Sequence, residues 1–206
     1  MNKYLTEFIG TFFLVLTVGC TVMGGVGLAP LAIGASLMVM IYAGGHVSGG
    51  HYNPAVTLAV WLRGRCPMED LLPYWVAQVL GAVVAAFAVK ALGFLPGKLN
   101  TFDAKFPAFL AEFLFTFALG YVVLNAATTR SNTGNSFYGV AIGMTVMTGA
   151  VAVGSISGAA FNPAVAVGVT VMKISAVSNL GIYLVAQLLG GAAAAGVFKV
   201  INPADK

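Results

Sequence analysis

Ser48-Gly49-Gly50-His51-Tyr52-Asn53-Pro54-Ala55-Val56 and Ser157-Gly158-Ala159-Ala160-Phe161-Asn162-Pro163-Ala164-Val165 decide the fold. The second stretch repeats the first at a distance of 109 residues. Asn is a strong N-cap, Pro is favoured at the first helical position and Ala propagates a helix, so Asn53 and Asn162 should each begin one. The stretches ahead of them, 44–54 and 154–163, are Gly-rich and polar and read as non-helical. The apolar stretches that follow, 55–62 and 164–172, are too short to cross a bilayer, which takes about 20 residues. They read as re-entrant segments. A third Asn-Pro-Ala, Asn202-Pro203-Ala204, stands outside the repeat and reads as a simple turn.

The repeat extends outward from these motifs. Thr6-Glu7-Phe8-Ile9-Gly10-Thr11-Phe12 matches Ala111-Glu112-Phe113-Leu114-Phe115-Thr116-Phe117 at a shift of 105, and Gln78-Val79-Leu80-Gly81 matches Gln187-Leu188-Leu189-Gly190 at 109. Long apolar segments occupy 5–28, 31–46, 71–92, 107–127, 138–154 and 177–199, three in each half. An odd number of spans inverts the second half relative to the first. Residues 1–206 then form one membrane domain, with 1–93 and 107–201 as its inverted halves and the two re-entrant segments meeting near the midplane.

Composition agrees. Of 206 residues, ten are Lys or Arg and six Asp or Glu, while 59% are hydrophobic and the mean hydropathy is +0.94. A soluble domain carries about 25% charged residues and this chain 8%, so most of its outside must face lipid. High apolar content excludes disorder. The net charge of +4 is scattered rather than gathered in a stripe, which argues against a nucleic-acid partner. The run 5–28 exceeds the apolar core of a cleavable signal, about 7–15 residues. With the N-terminus inside, Lys3, Arg63, Arg65, Arg130, Lys199 and Lys206 are cytoplasmic and Lys90, Lys98, Lys105 and Lys173 external. That bias favours a multi-pass protein of the cell membrane with both termini cytoplasmic. Cys20 and Cys66 read as ordinary residues, not a disulfide.

The centre has a definite chemistry. Helix N-termini carry about half a positive charge each. Two of them meeting make a place hostile to cations. Asn side chains can accept cap bonds and still aim NH₂ donors inward. Non-helical backbone at membrane depth must pack in protein or line water. A pore of sparse polar sites passes neutral hydrogen-bonding solutes and resists ions.

With its doubled Asn53-Pro54-Ala55 and Asn162-Pro163-Ala164 in an inverted repeat, the chain resembles the major intrinsic protein family, the aquaporins and glycerol facilitators, over nearly its whole length. The resemblance implies an all-α membrane protein, a right-handed bundle of six transmembrane helices plus two re-entrant half-helices. It also implies one pore per subunit and a homotetramer in the lipid bilayer.

Glu7 and Glu112 are acids inside apolar spans, where charge is costly and normally functional. A proton relay is one reading. The other is structural, each accepting hydrogen bonds from the bent backbone before its half-helix, and the matched repeat positions favour it. Gln78 and Gln187 suit similar helix-to-loop work, and Gly81 and Gly190 suit close helix crossing. His46 and His51 are the only histidines and lack an evident third metal ligand. They read as pore-lining or loop-fixing, with pH gating at His46 as the alternative.

In the family, four positions set the narrowest point; counted from the motifs they match Ile33, Ala150, Ala159 and Val165. Val165 stands where the family nearly always has Arg, Ala150 where strict water channels have His, and Ala166 where glycerol facilitators have an acid. The filter should therefore be apolar and wide, unless Lys173 or Lys105 restores a nearby cation. A unit charge about 5 Å from a permeating cation contributes roughly 3 kcal/mol of repulsion at an effective dielectric near 20. Cation exclusion is thus expected to be less complete than in Arg-bearing relatives. The leading reading is a passive channel for water and small neutral solutes such as glycerol, urea, ammonia or hydrogen peroxide. A weakly selective ion channel and a gradient-coupled secondary transporter are the alternatives. No nucleophile–base pair or metal cluster stands out, so neither an enzyme nor a cofactor is expected.

Overall fold

The computed structural model describes residues 1–102 and 104–205. Among the described residues, six helices are long and apolar enough to cross a membrane: α1 (Asn2–Met23), α2 (Ala29–Ser48), α4 (Met68–Ala91), α5 (Lys105–Val123, continued by a π-helical turn Leu124–Thr128), α6 (Tyr138–Ser157) and α8 (Val177–Ile201). Two nine-residue helices, α3 (Pro54–Leu62) and α7 (Pro163–Val171), are the half-helices. They span about 13 Å each, against about 30–37 Å for the long helices.

The long helices sit within a few residues of the apolar segments, and the differences have local causes. The first span stops at Met23 rather than reaching 28, because Gly24 caps it and Gly25 turns at φ +64°. The second begins at Ala29, with Pro30 in the first turn. The third begins at Met68, its Glu69 and Asp70 in the first turn where a helix dipole favours acids. The Gly-rich stretches, expected to be non-helical from 44 and 154, remain helical through Ser48 and Ser157. Only Gly49–Asn53 and Gly158–Asn162 are irregular. Gly49 and Gly158 end α2 and α6 at φ +88° and +85°, a conformation L side chains rarely adopt.

Packing follows the repeat. α1 lies on α4 where Gly81 meets the backbone of Phe8, and α5 lies on α8 where Gly190 meets that of Phe113. α2 and α6 join the two halves. The half-helices cross over, α3 packing on α8 and α7 on α4, so each half holds the other's short helix. Many large side chains on the outer helix faces, such as Phe87, Phe106 and Val151, stay exposed, as a lipid-facing surface requires.

Lys3, Arg63, Arg65 and Arg130 fall at the end of the bundle where α1 begins and α3 and α8 end, and Lys90, Lys98, Lys105 and Lys173 at the other. Lys206 lies outside the described residues.

Candidate functional site

Asn53 and Asn162 have extended backbones, φ −158° and −157°. Each carboxamide oxygen caps its own helix: Asn53 Oδ1 accepts from Ala55 N (2.9 Å) and Val56 N (3.4 Å), Asn162 Oδ1 from Ala164 N (2.9 Å) and Val165 N (3.4 Å). Each amide nitrogen reaches across the repeat. Asn53 Nδ2 donates to Phe161 O at 2.9 Å and Asn162 Nδ2 to Tyr52 O at 2.8 Å. The accepting residues, Tyr52 and Phe161, sit at φ +48° and +47°, which turns those carbonyls toward the opposite loop. Pro54, Pro163, Ala55 and Ala164 form the buried first turns.

Two buried carboxylates hold this backbone. Glu7 Oε1 accepts from Ser48 Oγ (2.7 Å) and His51 N (2.9 Å), and Oε2 from Tyr52 N (2.6 Å) and Gln78 Nε2 (2.8 Å). Glu112 repeats the set with Ser157 Oγ (2.6 Å), Ala160 N (3.0 Å), Phe161 N (2.8 Å) and Gln187 Nε2 (2.8 Å). Eight donors thus converge on four oxygens, two on each. Tyr74 and Tyr183, which sequence reasoning did not single out, donate to Ser48 O (2.8 Å) and Ser157 O (2.5 Å). Their spacing of 109 residues was the available signal.

A cavity of about 380 Å³ runs from the motifs toward the end of the bundle where α1 finishes. Ile33, Ala150, Ala159 and Val165 all line it, with Asn53, Asn162 and His51. Its walls are otherwise chiefly aliphatic, from residues such as Leu14, Val146 and Val169. Ala159 occupies φ +53° where the first half has Gly50 at +64°. A second cavity of about 470 Å³ opens at the other end, lined by Arg65, Arg130, Cys66 and Thr133 among others.

His51 lines both cavities. It is buried, with Nδ1 3.2 Å from Thr57 Oγ1 and its ring against Tyr74. His46 is exposed in the last turn of α2 and is not among the residues lining either cavity. Lys105 and Lys173 do not line the constricted cavity either; Lys98 does.

Asp205, bonded to Arg130 of the second cavity's lining, accepts from Thr129 Oγ1 (2.7 Å), Arg130 N (2.9 Å) and Arg63 Nη2 (2.7 Å). These donors, Thr129 first, hold its carboxyl well below the usual carboxylate range. Arg63 is itself buried, stacked 4.7 Å from the Phe198 ring. Burial pushes the Cys66 thiol up to about 11.

Comparison with known proteins is consistent along the whole chain. The family model for major intrinsic proteins matches residues 1–152 and 98–206. The glycerol uptake facilitator protein-like 6 of Lactiplantibacillus plantarum is 38% identical over the full length of both chains. Aquaporin NIP1-2 of Arabidopsis thaliana and nodulin-26 of Glycine max are each 33% identical, over all of this chain and 76% and 80% of theirs. The X-ray structure of the aquaglyceroporin from Plasmodium falciparum superposes with a TM-score of 0.84, covering 98% of this chain and 97% of that one, at 22% identity.

Proposed function

This chain belongs to the major intrinsic protein family, and from that premise we propose a passive transmembrane channel for water and small neutral solutes, with glycerol, urea, ammonia and hydrogen peroxide as candidates. One observation carries the reading. Two half-helix N-termini meet at paired Asn amides in an otherwise aliphatic cavity. Each amide has one hydrogen on the opposite loop and a second to offer a passing oxygen. A neutral solute exchanges water for these donors in single file, while a cation meets two positive helix ends and a lining that cannot replace its hydration shell.

Ile33, Ala150, Ala159 and Val165 make the constriction in this reading. With no charged side chain among them, selection rests on size and ease of dehydration. The name of the full-length Lactiplantibacillus relative supports glycerol within the substrate range. We place both termini in the cytoplasm of a cell-membrane homotetramer, with residues 1–93 and 107–201 as the halves of each subunit's pore. Osmotic swelling of proteoliposomes tests the function: rates for water, glycerol and urea well above protein-free vesicles are expected, and equal rates refute it.

Val165 favours a second reading, a slow ion leak through the same pore. Current across planar bilayers that falls in V165R supports that leak, and current at background removes it. Gradient-driven transport is disfavoured because Glu7 and Glu112 each accept four hydrogen bonds from the scaffold and line neither cavity.

A further inference from the structure

We propose that Lys98, on the connection between the two halves, is the cation-excluding residue of the channel, acting at its outer mouth where the constriction itself has no charge. The proposal rests on the channel reading above. Its basis is the way this connection is pinned. Asn100 N donates to Ile174 O at 2.8 Å, and Asn100 O accepts from Ala176 N and Asn179 Nδ2, both at 2.9 Å. Phe102 N donates to Asn179 Oδ1 at 3.3 Å, and the Phe102 ring stands edge-on to Tyr183, 5.2 Å between centroids. The connection is thereby bonded to the segment that leaves α7, the helix bearing Val165.

Lys98 precedes that anchor by two residues, about 7 Å of extended chain. It lines the same cavity as Ile33, Ala150, Ala159 and Val165, as do Val22, Pro30 and Ile174. Among the described residues lining this cavity it alone carries a permanent charge, and no carboxylate is with it. A cation approaching from outside therefore meets an ammonium, with no carboxylate among the described lining residues, before it meets the aliphatic walls. A neutral solute does not register it. Lysine suits the task because its flexible stem lets a point charge sit over the opening without narrowing it.

The expected effect is electrostatic. For a charge about 8 Å from the ion path at an effective dielectric between 20 and 40, Coulomb repulsion slows cation passage about five- to thirtyfold. It should be large at about 0.01 M ionic strength, where the screening length is near 30 Å, and fade at 1 M, where it is near 3 Å.

The test uses the full chain in proteoliposomes, with potassium efflux and urea swelling measured side by side. K98Q should raise efflux about five- to thirtyfold at low salt and K98E further, K98R should match the unaltered protein, and the rise should collapse at high salt. Urea swelling should change far less than efflux in every variant, because a neutral solute does not feel the charge at the entrance it shares with the ion. Unchanged efflux in both K98Q and K98E overturns the proposal, as does a rise that K98R shares or that ignores salt. Unaltered protein that swells no faster than empty vesicles instead strikes the channel reading, whatever the efflux ratios.

Discussion

Replacing Glu7 by Gln removes one acceptor oxygen from a site where four donors converge. Whichever way the new amide turns, its NH₂ faces two donors. Turned toward Ser48 Oγ and His51 N it forces the hydroxyl to rotate, and the His51 N–H has no acceptor. Turned the other way it repels Tyr52 N and Gln78 Nε2. A buried N–H left unpaired costs about 1–3 kcal/mol, and two further bonds that lose a charged acceptor weaken by about 1 kcal/mol each. The expected loss is about 3–5 kcal/mol, a large part of a stability of about 5–15 kcal/mol. Ordinary interhelical hydrogen bonds in a bilayer average about 0.6 kcal/mol, so the size of the loss separates the two cases. Reversible unfolding of E7Q in mixed micelles, followed by swelling of reconstituted vesicles, is the assay. E112Q should lose the same amount within about 1 kcal/mol, because its donors match one for one. E7Q that loses under about 1 kcal/mol and swells normally refutes this account. Unchanged stability with an altered pH dependence of uptake would turn Glu7 back into a proton relay.

Four further outcomes follow from the same geometry. V165R should cut residual cation current by about two orders of magnitude and slow glycerol more than water, read from bilayer currents and swelling rates. A159G should stabilise the fold by about 1 kcal/mol in the same unfolding assay, since glycine accepts the left-handed backbone found there without strain. Because its folded pKa is depressed, Asp205 should stabilise the tail fully above the ordinary carboxylate range and lose that contribution only as pH falls through the lowered value. Trypsin access at Arg65 and Arg130 should therefore be flat from pH 5 to 8, and D205N should raise it. With its pKa near 11, Cys66 should react with maleimide at pH 8 about a hundredfold more slowly than an ordinary thiol, and rapid labelling would show that the burial is wrong.

The transmembrane architecture was legible because the Asn-Pro-Ala motifs, the buried acids and the crossing glycines each recur at nearly one spacing. Helix ends were less so. Ser48 and Ser157 hold α2 and α6 helical farther than their glycines suggest, through bonds to residues more than 40 positions away. Tyr74 and Tyr183 were not legible, since a phenol in an apolar helix carries no local sign of a carbonyl waiting in a distant loop. Lys98 was placed outside by topology, but only the pairing of Asn100 with Ile174 and Ala176 brings it to the cavity. Asp205 could not be connected to Arg63 from sequence, because 142 residues separate them and no periodic pattern includes the tail.

The crossed Asn bonds have a consequence for how the protein is made. Asn53 waits for a carbonyl 108 residues later in the chain, and α3 for the surface of α8. At about 5–20 residues per second of synthesis, the first re-entrant loop spends about 5–20 s in or near the bilayer without its partner. During that interval its polar backbone has only first-half partners such as Glu7, Ser48, Tyr74 and Gln78 to shield it. The early half must therefore be a holding form that keeps a loop presentable to the insertion machinery until its mirror image arrives. Lesions in the second half should then surface as defects in biogenesis before they surface as defects in transport.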